Sequence, residues 1–329
     1  MRIGVFCSGG DAPGMNPCVR AVVRSALAAR QEVVGIYRGY KGLLAEELLI
    51  NEEGEPLMHL RSVSNLSKQG GTILHSSRSE EFKTTRGLKK AARILNKHGI
   101  DALVPIGGDG TFRGAIDLAE HWGGRIVGCP GTIDNDLIGT DYTIGFATAV
   151  QTAVEAVDKL RDTAESHDRM FLVEVMGRHS GYIALYTALA AGAEVACLPE
   201  TPTDVRQIIR DLRKLRRRGK KSIMVVVAEG DEAGGAVKLN EDLIAARCPF
   251  QTRVLTLGHL QRGGTPAPAD RILGTCLGDF AVRALRDGQT GVMAGQIHGN
   301  LVLTPFAEAV AGHKPVPQGL IDLLAVMAT

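Results

Sequence analysis

Three apolar runs in this chain end in turns built from glycine, aspartate and small hydroxyl residues, and this repeated ending constrains the fold more than any other feature. Ile3-Gly4-Val5-Phe6-Cys7 leads into Ser8-Gly9-Gly10-Asp11-Ala12-Pro13-Gly14-Met15-Asn16. Ala102-Leu103-Val104-Pro105-Ile106 leads into Gly107-Gly108-Asp109-Gly110-Thr111, and Arg125-Ile126-Val127-Gly128-Cys129 into Pro130-Gly131-Thr132-Ile133-Asp134-Asn135-Asp136. Residues Phe112 to Glu120 then show helical periodicity. A strand passing through such a turn into a helix is the repeating piece of an open α/β sheet, whose chemistry gathers at the carboxyl ends of its strands. Further strand-like runs, Glu32 to Ile36, Met170 to Val175, Val195 to Leu198 and Ser222 to Ala228, alternate with helical patterns. The alternation predicts βαβ units and largely parallel strands, divided between two sheets.

The turns suggest chemistry as well as fold. Glycine lets backbone N–H groups approach a polyphosphate, a helix N-terminus favours its charge, and Asp109 can hold Mg²⁺ through oxygen ligation. Two glycine turns in one domain suggest one phosphate chain held from two sides. Pro130 to Asp136 adds two carboxylates, one for a reacting hydroxyl and one for a metal. A plainer reading is a set of polar turns whose Asp and Asn side chains cap the next helix.

Composition narrows the class. A chain of 329 residues with 44% hydrophobic content has room for two α/β domains. Its formal charge of +2, from 38 basic and 36 acidic residues, gives no global reason to invoke nucleic acid or a membrane surface. The six cysteines lie far apart with no Cys-x-x-Cys pair, so they read as reduced thiols rather than a disulfide or zinc framework. No apolar run approaches membrane-spanning length, and a cytoplasmic location is expected.

Taken together, the motifs resemble the 6-phosphofructokinases, of the short bacterial ATP-dependent kind, nearly end to end. Besides the three turns they include Gly139-Thr140-Asp141-Tyr142-Thr143-Ile144-Gly145-Phe146, Glu174-Val175-Met176-Gly177-Arg178 and Gly258-His259-Leu260-Gln261-Arg262-Gly263-Gly264. Gly-Gly-Asp-Gly-Thr by itself also fits NAD kinases and lipid kinases, but those lack counterparts of the later motifs. A pyrophosphate-dependent phosphofructokinase and, more remotely, a nucleotide-sensing regulatory subunit compete with the ATP-dependent kinase. The resemblance implies two Rossmann-like three-layer α/β domains with the active site in the cleft between them. Residues 1–145 plus 261–308 would bind nucleotide, and 146–260 plus 309–329 fructose 6-phosphate.

It also implies roles, residue by residue. Asp134 would take the proton of the sugar 1-hydroxyl as that oxygen attacks the γ-phosphate of ATP, with Thr132 touching the same phosphoryl group. Asp109 and Asp136 would serve Mg²⁺. Arg78 would lie at the phosphates and Arg178 would stabilise the transferring group, jobs suited to a guanidinium fork. Gly10, Tyr40, Arg78, Gly110 and Thr111 are the expected nucleotide positions. Met176, Gly177 and Glu229 would bind the sugar, and His259 and Arg262 its phosphate. Arg169 and Arg253 resemble arginines contributed by a neighbouring subunit of a homotetramer. Relatives that use pyrophosphate carry Asp in place of Gly110 and Lys in place of Gly131, so glycine at both implies ATP.

Arg20, Arg24, Arg161, Glu194, Arg218 and Lys220 line up with an effector site, whose five cations would repel one another without a bound anion. The basic stretch Arg213 to Lys221 can equally be the solvated last turn of a helix from Asp204 to Arg218. This region departs from bacterial relatives. Counting back without gaps from Gly70-Gly71, Arg61 falls where they have an adenine-stacking Tyr, Leu60 where they have an arginine, and Asn65 replaces an aspartate. Arg61 is expected to stand in for the displaced cation.

Overall fold

The structure, a computed structural model, describes residues 1–327. The chain forms two compact units. The first comprises Met1–Ile133, Leu137–Thr148 and Arg262–Lys314; the second comprises Asp134–Asp136, Ala149–Gln261 and the chain from Pro315 onward. Residues 309–314, expected in the second domain, belong to the first for a local reason. Arg113 Nη2 donates to the Val310 carbonyl at 2.7 Å, and Lys314 Nζ donates to the Thr140 and Asp141 carbonyls at 3.1 and 2.8 Å. The expected end of the second domain at 329 takes in residues 328 and 329, which lie outside the described residues.

Among the described residues, the strands are β1 (Arg2–Ser8), β2 (Glu32–Gly35), β3 (Ala102–Gly107), β4 (Arg125–Thr132), β5 (Ile144–Gly145), β6 (Arg169–Val175), β7 (Val195–Cys197), β8 (Ile223–Ala228), β9 (Gln251–Thr256), β10 (Val292–Ile297) and β11 (Asn300–Pro305). In the first unit they form one sheet, ordered β11-β10-β4-β3-β1-β2, with β5 paired to the end of β4. All pairings in it are parallel except β10 with β11. Alternation along the strands divides its side chains between two layers of helices. Phe6, Leu103 and Ile126 face a core made with Leu43, Leu88, Ile94, Phe112 and Phe306, under the helices Gly39–Leu44, Thr85–Lys97 and Asp109–Ala119. The intervening residues Val5, Val104 and Val127 are fully buried, on the side where the helices Met15–Ala28 and Pro268–Arg286 pack together.

The second unit is a wholly parallel sheet ordered β7-β8-β6-β9. Met170, Leu172, Val225 and Val227 pack against Ile209, Leu212, Leu239 and Leu243 of the helices Val205–Arg217 and Gly235–Ala245. The helix Val205–Arg217 carries a stabilising signal at each end. The Asp204 carboxylate accepts from the Arg206 and Gln207 amides at 2.8 and 3.2 Å, and Lys214, Arg216 and Arg217 sit in the last turn, where cations suit the dipole.

The two-residue β5 and the strands β9, β10 and β11 lack the continuous apolar runs that reveal the others. β9 lies at the sheet edge and mixes Gln251, Thr252 and Arg253 with Val254 and Leu255. β10 and β11 form a hairpin closed by His298 and Gly299, both in the left-handed region at φ 49° and 80°. All six cysteines are free thiols. Burial pushes the Cys7 and Cys197 thiols up to about 12, which keeps them protonated and unreactive. Among the described residues, no helix is long and apolar enough to cross a membrane.

One buried charge ties distant parts of the first unit together. Asp270, in the first turn of Pro268–Arg286, is 1% exposed. Its carboxylate accepts from the Gly145 amide at 2.8 Å, the Thr148 amide at 2.7 Å and the Thr148 hydroxyl at 2.5 Å. It therefore caps the helix Phe146–His167 from a segment far along the chain. Asp270→Ala should cost roughly 2–3 kcal/mol, since it removes charge-assisted bonds and leaves buried donors unmet. Urea unfolding measures this, and a variant within about 0.5 kcal/mol of wild type would contradict the capping role.

Candidate active site

The two turns expected to carry the chemistry meet in the second unit. Asp134 is only 4% exposed. A buried carboxylate needs a compensating partner, and Arg178 Nε stands 3.9 Å from Asp134 Oδ2, its own side chain 52% exposed. Arg178 reaches this place because β6 ends at Val175 and the chain turns at once through Met176 and Gly177. The Met176 amide donates to Gln261 Oε1 at 2.8 Å. Arg178 itself adopts a left-handed backbone, φ 53°, a conformation that costs energy in a non-glycine residue. Its amide donates to Glu229 Oε1 at 2.9 Å. The next residue, Gly230, lets the two turns touch, because a Cβ there would fall 1.7 Å from the Arg178 carbonyl oxygen. Ser180 Oγ donates to the backbone carbonyl of Asp134 at 2.8 Å.

The first unit holds the two glycine turns. The helix Asp109–Ala119 starts directly after β3, so Asp109, Gly110 and Thr111 form its positively polarised first turn. Thr111 Oγ1 donates to the Ser8 carbonyl at 3.2 Å, linking this turn to the one after β1. Asp109 is half-exposed, with Arg113 Nε 3.0 Å from each carboxylate oxygen, and the carboxylate raises the pKa of that guanidinium. Thr132, at the end of β4, is buried, and its carbonyl accepts from Thr143 Oγ1 at 2.6 Å. Arg78 is exposed, and its segment is fastened to the first turn by Gly9 N–H to the Ser77 carbonyl at 3.4 Å and by Ser76 Oγ to the Gly9 carbonyl at 3.0 Å.

Two expected ligand positions also bond to the protein itself. Tyr40 is expected at the nucleotide, but it is 5% exposed and its ring stacks on Phe82 at 3.8 Å between centroids. Its hydroxyl donates to the Thr111 carbonyl at 2.7 Å, and burial pushes its pKa up. Tyr40 supports the second glycine turn from inside the core, since an aromatic ring flanked by Phe6 and Phe82 is more stable there than in water. Arg262, expected at the sugar phosphate, lies buried against the first turn. Its Nη1 donates to the Asp11 carbonyl at 2.9 Å, and a Cβ on Gly10 would stand 2.5 Å from that nitrogen.

The remaining positions are distributed as follows. Register places Arg169 opposite Gln251 and Phe171 opposite Arg253, so both arginines share one face of the β6–β9 edge. Arg169 Nε donates to Gln251 Oε1 at 3.1 Å, and Arg253 is exposed. Glu229 and His259 are exposed too. Of the effector positions, the second unit joins Arg161, Glu194 and Lys220. Glu194 is buried, Lys220 Nζ touches Oε1, Arg161 Nη1 stands 3.6 Å from the same oxygen, and the Met224 amide donates to Oε2 at 2.7 Å. An internal carboxylate thus supplies counter-charge to two of the expected effector cations. Arg218 caps the end of Val205–Arg217. In the first unit, Arg20 and Arg24 lie one turn apart on Met15–Ala28, and Arg24 borders a groove of about 740 Å³ with Leu60, Arg283 and Arg286. Arg61 projects into solvent, 3.6 Å from Glu52.

Sequence reasoning assigns no role to Asn16, Thr143 or Ser180. The Asn16 side chain accepts from the Ile73 amide at 2.7 Å and donates to the Gln69 and Gly70 carbonyls, holding the segment that leads to Arg78. Its place at the end of the first motif is the available signal; the two hydroxyls give none.

Known proteins are close to this chain in sequence. The family model Phosphofructokinase matches residues 2–285. The ATP-dependent 6-phosphofructokinase 1 of Thermus thermophilus is 54% identical over 327 residues, covering 99% of each chain. The ATP-dependent 6-phosphofructokinase of Cytophaga hutchinsonii is 46% identical over 322 residues, covering 98% of this chain and 96% of that one. Among solved structures, phosphofructokinase from Saccharomyces cerevisiae superimposes with a TM-score of 0.86 at 34% identity, over 99% of this chain and 48% of the yeast chain. With a family match over most of its length and relatives this similar from end to end, the chain belongs to the phosphofructokinase family.

Proposed function

We propose that the chain is an ATP-dependent 6-phosphofructokinase, transferring the γ-phosphate of ATP to the 1-hydroxyl of fructose 6-phosphate to give fructose 1,6-bisphosphate and ADP. It would act in glycolysis, in the cytoplasm. The observation that carries this reading is the buried Asp134 carboxylate beside the half-exposed Arg178 guanidinium. Phosphoryl transfer asks a protein chiefly for positioning and charge stabilisation. In the proposed reaction Asp134 accepts the proton of the 1-hydroxyl as that oxygen attacks. Arg178, half in solvent, is free to turn toward charge that builds on the transferring group, and Thr132 bonds to the same phosphoryl oxygens.

Gly10, Gly110, Thr111 and Arg78 are assigned to the nucleotide, with Tyr40 supporting Thr111 from behind. Met176, Gly177, Glu229 and His259 are assigned to the sugar phosphate, together with Arg262, which keeps further donors of its five-donor fork for a phosphate while one engages Asp11. A magnesium ion that already holds nucleotide phosphates needs only one or two protein carboxylates. Half-exposed Asp109 at a helix N-terminus fits that demand, with Asp136 as the second candidate. Mg²⁺ held there would offset the negative charge of the polyphosphate. Arg161, Glu194, Arg218 and Lys220, with Arg20, Arg24 and Arg61, are assigned to an anionic regulatory metabolite.

Asp134→Ser tests the base directly. Its kcat should fall by a factor on the order of 10² or more with little change in KM for fructose 6-phosphate, because the groups that bind the sugar remain. Near-wild-type turnover would remove Asp134 from the mechanism.

The donor is decided at two glycines. A Cβ on Gly131 would stand 2.9 Å from Ile106 Cγ2 and from Met15 Cε, so the lysine of pyrophosphate-using relatives does not fit without repacking. At Gly110 nothing lies within 4 Å, leaving space beside the helix start. A coupled assay of fructose 1,6-bisphosphate formation should show activity with ATP and negligible activity with pyrophosphate. Comparable kcat/KM for the two donors would overturn the assignment.

If Arg169 and Arg253 serve a neighbouring subunit of a homotetramer, activity can be restored by mixing. Arg253→Ala and Asp134→Ser subunits, each poorly active alone, should regain part of the activity when co-assembled, since some sites then draw their base and their arginine from intact chains. Confirmed mixed assembly with no recovery would show that Arg253 acts within its own chain.

A further inference from the structure

We propose that Ser180 is a positioning residue for phosphoryl transfer. Its hydroxyl fastens the backbone of Asp134 to the turn that carries Arg178, so that the proton acceptor and the backbone bearing the guanidinium are held as one piece. The proposal rests on the roles given above to Asp134 and Arg178.

The distance between those two groups is the first reason. At 3.9 Å, Arg178 Nε and Asp134 Oδ2 attract one another but do not form the short, directional bond with which each could fix the other's position. Their relative placement therefore depends on the backbones behind them as well. The second reason is the local chain path. Asp134–Asp136 belongs to the second unit although Ile133 and Leu137 belong to the first, so this three-residue segment joins its unit through contacts rather than chain continuity. The bond from Ser180 Oγ to the Asp134 carbonyl, 2.8 Å, is one of those contacts and falls on the base residue itself.

Ser180 is well anchored for the task. It is 2% exposed, and its amide closes the turn by donating to the Gly177 carbonyl at 2.9 Å. On either side, the Arg178 amide is bound to Glu229, and the Gly181 amide donates to Glu200 Oε1 at 2.8 Å where the helix Tyr182–Ala191 begins. A donor fixed on both sides imposes its position on the acceptor, as supporting groups do behind a catalytic constellation. Misplacement of the base affects the transition state, in which the proton moves, more than the ground-state binding of either substrate.

The test is a double-mutant cycle with steady-state kinetics. Ser180→Ala should lower kcat by about tenfold, the equivalent of about 1.4 kcal/mol, while KM for each substrate stays within about twofold. Ser180→Cys, which keeps a weak donor, should fall between Ser180→Ala and wild type. In the Asp134→Ser background, where the positioned carboxylate is gone, adding Ser180→Ala should change the residual rate by less than about twofold. An equal loss in both backgrounds would assign Ser180 a general structural role and overturn the proposal. So would full kcat in Ser180→Ala, or Ser180→Cys no better than Ser180→Ala. If Ser180→Ala does not fold, Ser180→Cys alone and combined with Asp134→Ser completes the same cycle. High activity in Asp134→Ser alone would reject the base assignment and this proposal with it, a result distinct from any failure of the cycle.

Discussion

Parallel pairing in one register is the constraint from which the rest of the first unit follows. Ser8 pairs with Gly107, and Gly107 pairs with Pro130. Neighbouring strands lie about 4.8 Å apart, so β1, β3 and β4 release their turns side by side at one level of the sheet. Everything the turns do depends on that alignment. The buried hydroxyl of Thr111 can reach the Ser8 carbonyl only because the strands end together. A slip of one residue would also turn Phe6, Leu103 and Ile126 away from the core they fill.

Buried carboxylates are costly, and this protein stabilises three of them in three ways. Asp270 is met by backbone amides and a hydroxyl, an arrangement with no mobile part. Glu194 is met by Lys220, Arg161 and the Met224 amide. Asp134 has beside it a guanidinium that is half in solvent. The first solution builds structure, and the last leaves a charge that can be redirected. Arg178 also carries backbone strain at φ 53°, offset by Glu229 and by the absence of a side chain at Gly230.

Much of this was legible in the sequence, for physical reasons that also explain the gaps. β1, β3, β4, β6 and β8 are covered on both faces, and complete burial demands the continuous apolar runs that betray such strands. β9 is an edge and β10–β11 a hairpin, so polar residues are tolerated there and the pattern dissolves. Asp134 stood out as one of two acids in a glycine turn at the end of a strand, and Arg178 through the resemblance of its motif. Tyr40 is ambiguous in the sequence, because an aromatic residue with a polar tip serves equally well on a ligand or under a helix start. Thr143 and Ser180 were invisible: a small hydroxyl that bonds to a distant carbonyl leaves no periodicity and no composition signal.

The interrupted course of the first unit has a consequence for how the molecule is made. Residues 262–314 supply the Asp270 cap, the Pro268–Arg286 helix and the β10–β11 hairpin, all of which the first unit needs. On a ribosome these arrive after residues 149–261. The long segment Ala149–Gln261, which contains all four strands of its own sheet, is complete while the earlier sheet still lacks both its cap and its outer strands. The portion of the chain synthesised first therefore waits for the portion synthesised later, exposing the apolar face of β4 in the interval. Nascent chains halted before Pro268 should accordingly be the ones that depend most on chaperones.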